Sequence, residues 1–242
     1  MTTFQVHDTV GAIVRQHPSL SRLFEQAKVD YCCGGKKPLE VACRNQGIDP
    51  QAFLAQLDVA LASEEPSELD VASLSLTELA DHIEQTHHTY LHCELPRLER
   101  MTAKVAAVHG DKEPRLHQIK EIFLALSQEL STHLMKEEQI LFPMIRQLEA
   151  SATVPSFHCG TLANPVRRME FEHDEAGVAL VHLRQLTDDY TPPEWACNTY
   201  RAMLDALANF ERDMHHHIHK ENNVLFPRAI ELEQQKARQS EV

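Results

Sequence analysis

The stretch His133-Leu-Met-Lys-Glu137-Glu-Gln-Ile-Leu-Phe-Pro143 returns 84 positions later as His217-Ile-His-Lys-Glu221-Asn-Asn-Val-Leu-Phe-Pro227. In both copies the His and the Glu stand four residues apart, which places them on one face of a helix. Stepping back from His133 by threes and fours meets Leu130, Leu126, Phe123 and Ile119, and stepping forward meets Glu137 and Ile140. From His217 the same steps meet Met214, Phe210, Leu207 and Met203, then Glu221 and Val224. Both His/Glu pairs therefore fall inside the apolar stripe of their helix, the side that faces the middle of a bundle. Two carboxylates and two imidazoles buried without partners cost several kcal/mol, and a shared metal centre is the simplest compensation.

A third helix repeats the pattern: Val166, Met169, His173, Ala176, Leu180 and Leu183 follow the same stepping, with His173 in the stripe. An earlier helix carries His82, His87, His88 and His92. His88 leads into Leu91, Leu95 and Leu98, whereas His87 fits Ile83 and Leu91 almost as well, so periodicity leaves that ligand open. Four His and two Glu suit two metal ions, each taking two imidazoles, with each carboxylate bridging. Mixed imidazole and carboxylate donors with open positions favour iron over zinc, magnesium or calcium, with manganese as an alternative. One buried His is commonly a hydrogen-bonded core residue, and one His-x-x-x-Glu pair is commonly a surface contact. The doubled constellation with a third matching His outweighs that reading. Of the run His215-His216-His217-His219 only His217 fits the stripe, and the others are expected to be solvated or to lie around the centre.

The 242 residues suffice for one bundle plus a small extra domain, and 43% hydrophobic residues with only 7 Gly suit a packed helical protein. A formal charge of −13 without a Lys/Arg run argues against nucleic acid or an anionic membrane as partner. No run approaches the ~20 apolar residues of a membrane span, and the first residues do not resemble a signal peptide, so a cytoplasmic location is expected. The six Cys form no zinc-type C-x-x-C pair and read as thiols in a reducing compartment.

The expected organisation is all-α: a small helical N-terminal domain over residues 1–60, a linker over 61–74, and an up-down four-helix bundle over 75–242. In the small domain Thr9, Ser19 or Ser21, Pro38 and Asp49-Pro50 mark helix starts, and Gly47 marks a stop. The bundle opens with the capping box Ser75-Leu-Thr-Glu78, and its first helix carries Pro96. Its second helix runs from about Glu113-Pro114 to Glu149. Asn164-Pro165 opens the third, and Thr191-Pro-Pro-Glu194 is expected to open the last. The adjacent Cys32 and Cys33 sit in a glycine-rich turn, where a disulfide between neighbours would be strained. They read either as packing residues or as a redox or metal-related pair.

Together, Asp30-Tyr-Cys-Cys-Gly-Gly35, the doubled His-x-x-Lys-Glu…Leu-Phe-Pro and Glu172-His173-Asp-Glu-Ala-Gly177 resemble the repair of iron centres family, the di-iron iron–sulfur cluster repair proteins. The resemblance covers nearly the whole chain and implies a hemerythrin-like bundle with a non-haem, oxo-bridged di-iron centre. Its ligands map to His88, His133, Glu137, His173, His217 and Glu221. His88 is selected because the family's first ligand stands eight residues before a Leu-Pro proline, here Pro96. The resemblance also implies repair of iron–sulfur clusters damaged by nitric oxide or oxidants, through delivery of iron. Cys32 and Cys33 match the family's N-terminal pair, and Glu129 and Glu172 match acidic positions along an access path; these four are the remaining candidates for a functional role.

The expected partners are iron–sulfur proteins as clients, nitric oxide or oxygen as small ligands, and a second copy of the chain as a candidate. Three rivals share the centre: an oxygen or nitric oxide binding or sensing protein of the hemerythrin type, an enzyme such as a nitric oxide reductase or peroxidase, and a structural zinc bundle. The first normally uses five His, one more than the stripes supply.

Overall fold

The computed structural model describes residues 4–62, 71 and 73–240. Most of the expected linker, namely 63–70 and 72, lies outside the described residues. The helices are α1 Val10–Gln16, α2 Ser21–Gln26, α3 Leu39–Asn45, α4 Pro50–Ala62, α5 Leu76–Ile83, α6 Thr89–His109, α7 Arg115–Lys136, α8 Phe142–Ala150, α9 Ala163–Leu186, α10 Asn198–Lys220 and α11 Phe226–Ser240. Three five-residue π turns, Glu84–His88, Glu137–Leu141 and Glu221–Leu225, carry α5 into α6, α7 into α8 and α10 into α11. Among the described residues there is no strand, only the isolated bridges Thr9 to Pro38 and Phe157 to Gly160. No described helix is long and apolar enough to cross a membrane.

Chain contacts define two units. The first contains the described residues of Met1–Ala80, Leu148–Pro155 and His215–Val242, and the second contains Asp81–Gln147 and Ser156–Met214. In the first unit α1 to α4 enclose a core around Phe24, whose ring meets Phe53 and Tyr31 edge-on. Helix α3 ends in the left-handed Gly47, with the Ile48 N–H donating back to the Cys43 carbonyl, the helix stop that the glycine suggested. The Ser75 capping box closes in both directions: the Glu78 N–H donates to Ser75 Oγ and the Ser75 N–H to Glu78 Oε2. Glu149 then accepts from the next two amides, those of Leu76 and Thr77, so most of the open N-terminal donors of α5 are satisfied.

The second unit is the four-helix bundle. Ser127 Oγ donates to Glu99 toward one end of the α6/α7 pair, while His88 meets Glu138 toward the other, so the two helices run antiparallel. Helices α7 and α9 meet through His133 and Lys136 against Glu172. Glu211 on α10 takes Arg184 of α9, and the rings of Phe123 and Phe210 meet edge-on in the core. Pro96 is carried inside α6.

Two helix starts differ from expectation. Helix α9 begins at Ala163, so Asn164 lies in the first turn, where its Nδ2 donates to the Cys159 carbonyl instead of capping. The last bundle helix begins at Asn198, not at the Thr191 box. Each proline after Thr191 disfavours helical backbone in the residue before it, Asp188, Asp189 and Tyr190 just ahead take positive φ, and Arg201 binds the carbonyls of Pro193, Glu194 and Ala196, fixing this segment as a loop.

Candidate metal centre

Each copy of the repeat reaches its Glu at the start of a π turn. In an α-helix Pro143 and Pro227 would lack the N–H owed to the carbonyls of Gln139 and Asn223, and their rings would crowd those carbonyls. Widening the helix by one residue accommodates both conflicts, and such turns are frequent at functional sites. The widening also shifts the stripe. Ile140, expected to face inward, is exposed, and Leu141 is buried in its place. The turn Glu84–His88 likewise resolves the choice on the first helix, because it buries both His87 and His88. Their roles separate by partner: His87 Nδ1 bonds Asp213 at 2.8 Å, while His88 Nε2 faces Glu137.

Within the second unit, Glu137 is fully buried and neither carboxylate oxygen accepts a hydrogen bond. Imidazole edges surround it instead. His88 Nε2 lies 3.5 Å from Oε2 and His133 Nε2 lies 3.3 Å from Oε1. His173 Nε2 points at His133 Nε2 across 3.0 Å. Donor atoms of His133, Glu137 and His173 lie within 4.8 Å of one another, as do those of His88 and Glu137.

The far nitrogens are anchored by carboxylates. His88 Nδ1 bonds Glu138 at 3.0 Å, and His133 Nδ1 bonds Glu172 at 2.8 Å. That arrangement fixes each ring with Nε2 aimed inward, as metal-binding imidazoles are commonly held. Glu172 also receives Lys136 and Arg168, and His133 first, then these two cations, hold its carboxyl at about 2 against the opposing effect of burial. Glu138 additionally takes His92 Nε2 at 2.9 Å, which accounts for the exposed His92 as an outer partner.

A cavity of about 350 Å³ opens between α7 and α9 and reaches His133. Glu129, Glu172 and Glu175 line it, with Lys136 and Arg168 beside them.

Within the first unit, His217 and Glu221 are both buried, with His217 Nε2 3.0 Å from Glu221 Oε1. The neighbouring histidines are less solvated than expected. His216 pairs with Glu25 at 3.1 Å, His215 lies against the Tyr31 ring, and the buried His219 Nδ1 donates to the Tyr31 carbonyl at 3.3 Å. Burial pushes His219 down to about 4, so it acts as a neutral donor. Sequence periodicity gave no signal for this role, because His219 lies off the stripe and serves a contact made by residues almost two hundred positions earlier. Cys32 and Cys33 are not joined in a disulfide, and their sulfurs lie 3.9 Å apart. Cys33 beside it, followed by burial and Asp30, pushes the Cys32 thiol well up.

The chemistry of this donor set fits a non-haem di-iron site: inward Nε2 atoms, a buried carboxylate with neither oxygen hydrogen-bonded, and carboxylate anchors behind the rings. Iron bound there would supply Lewis acidity and exchangeable coordination positions.

Comparison with known proteins agrees with this donor chemistry. Residues 79–229 match the hemerythrin HHE cation binding domain, and residues 6–61 match a domain of unknown function named ScdA_N. The chain is 39% identical over 221 residues to a protein of Enterobacter sp. (strain 638) named iron-sulfur cluster repair protein YtfE, covering 91% of this chain and 96% of the relative. It is 40% identical over 222 residues to the protein of that name from Salmonella schwarzengrund, and 39% identical over 221 residues to that from Citrobacter koseri, with the same shares covered.

Proposed function

The chain belongs to the hemerythrin-type iron–sulfur cluster repair family, and from that premise we propose that it restores damaged iron–sulfur clusters with iron from a labile di-iron centre. The ligands in this reading are His88, His133, Glu137, His173, His217 and Glu221, held by a bundle domain over 75–242 that follows a small domain over 1–60. The carrying observation is Glu137, a buried carboxylate whose oxygens accept no hydrogen bond and face the Nε2 atoms of His88 and His133. Left without a cation, such a group costs several kcal/mol.

The protein's own residues then have definite tasks. Glu138 and Glu172 hold the rings of His88 and His133 in the tautomer that presents Nε2. Glu129, Glu172 and Glu175 offer a departing cation oxygen donors through the cavity, while Lys136 and Arg168 compete for Glu172 and keep iron from settling there. The clients are iron–sulfur proteins, and a cytoplasmic location places the centre in their compartment. Nitric oxide or oxygen are small enough to enter the same cavity, so turnover of nitric oxide remains the rival activity to iron donation.

The test is elemental analysis of protein purified without air, with circular dichroism alongside. Glu137→Leu and Glu221→Leu are each expected to lose bound iron while the helices persist. Retention of two irons per chain by both variants would overturn the ligand assignment. Stoichiometric transfer of iron to a damaged client, against multiple turnovers of nitric oxide, separates donation from catalysis.

A further inference from the structure

The geometry points to Asn223 as a positioning residue that couples the Cys32–Cys33 turn to Glu221, so that the N-terminal helices govern how tightly the second His/Glu pair holds metal. This inference rests on the assignment of Glu221 as a ligand. Asn223 stands two residues after Glu221 in the π turn Glu221–Leu225. At about 100° per residue, that spacing sends the two side chains to nearly opposite sides of the helix.

The Asn223 carboxamide is gripped at both ends. Its Nδ2 donates to the Cys32 carbonyl at 3.1 Å. Its Oδ1 sits in a notch between Gly11 and Gly35, where a Cβ on either glycine would lie 2.3 Å from that oxygen. The Gly11 N–H donates to the Gly35 carbonyl at 2.9 Å and ties the two walls together. Asp30 braces the turn, accepting the Cys32 N–H at 3.0 Å and the Gly34 N–H at 2.8 Å. One turn earlier on the helix, His219 donates to the Tyr31 carbonyl. Residues 31, 32 and 35 thus hold the helix at 219 and 223, on either side of Glu221.

The tether acts on a turn whose winding already departs from the α-helix. In an α-helix the Asn223 carbonyl would take its bond from residue 227, which is a proline without an N–H. A side chain fixed from outside therefore has leverage on the turn that presents Glu221. The first copy of the repeat supplies an internal control, since the corresponding Gln139 is exposed.

The experiment uses the full chain loaded with ferrous iron without air. It compares wild type, Asn223→Ala and Gln139→Ala by the rate at which an excess of ferrous chelator captures iron. It also measures alkylation of Cys32 and Cys33 by iodoacetamide in the metal-free and loaded forms. Asn223→Ala is expected to bind the same amount of iron but release it about 10-fold faster, the scale of effect seen when an outer partner of a ligand is lost. Gln139→Ala is expected to release iron at the wild-type rate.

Because one tether joins the cysteine turn to the turn that presents Glu221, loading wild type with iron should change the alkylation rate severalfold, and Asn223→Ala should abolish that dependence. A purely structural role for Asn223 would leave no such link. Asn223→Asp keeps the shape, loses the donor, and provides a second variant expected to behave like Asn223→Ala. Wild-type release by both Asn223 variants, or alkylation indifferent to iron in wild type, overturns the coupling. Retention of both irons by Glu221→Leu overturns the ligand assignment instead, and this inference with it.

Discussion

The two copies of the repeat share their His, Lys, Glu and Leu-Phe-Pro residues and differ at positions between them. At four of these the first copy has Met135, Glu138, Gln139 and Ile140, and the second has His219, Asn222, Asn223 and Val224. Met135 is 47% exposed and Ile140 44%, whereas His219 is 5% exposed and Val224 is fully buried. The first copy is braced by ion pairs: Glu138 takes two histidines, and Glu172 takes His133, Lys136 and Arg168. The second is braced by neutral hydrogen bonds to the N-terminal turn. The buried His and Glu are common to both copies, and what the copies do not share records what packs around each.

The comparison breaks most completely if the inward residues are not equivalent. Glu137→Leu and Glu221→Leu are expected to abolish iron binding alike. Their metal-free forms should melt no lower than the metal-free parent, because replacing an uncompensated buried charge by a hydrophobe is commonly neutral or stabilising; calorimetry on the three metal-free proteins checks this. Next in size, Glu138→Gln or Glu172→Gln should weaken iron binding by about 10- to 100-fold, read by competition with a chelator. Removing either carboxylate loosens the ring it anchors.

Smaller effects sharpen the difference between the copies. Val224→Ala should cost about 2 kcal/mol in urea unfolding, against about 0.5 kcal/mol or less for its counterpart Ile140→Ala. Smallest is the exchange of residues between copies. His219→Met, which gives the second copy the residue of the first, should cost about 1 kcal/mol through the lost bond to Tyr31, and Met135→His should be close to neutral by the same measurement.

The inward set was legible because periodicity reports which side of a helix is buried, and a polar residue on that side needs a reason. His133, Glu137, His173, His217 and Glu221 all occupy buried positions on that ground alone. The choice between His87 and His88 was not legible, since a π turn buries both and three-four stepping assumes a uniform helix. Ile140 failed for the same cause. The Thr191 box carried the right cap residues, but its two prolines and the grip of Arg201 on nearby carbonyls favour a loop, a long-range effect that local pattern does not contain. The packing of His219 and Asn223 against the cysteine turn joins residues about 190 positions apart, and such contacts leave no periodic trace.

The π turns also restrict how this chain can be edited. Each is a helical turn already carrying one supernumerary residue, so a further residue inserted between Glu and Pro would find no slack in the winding and would swing everything downstream by about 100°. Phe142 and Ile145, or Phe226 and Ala229, all buried, would rotate toward water. The segment from each Glu to its Pro therefore tolerates changes of letter far more readily than changes of length, and the six-residue interval behaves as a single fixed part.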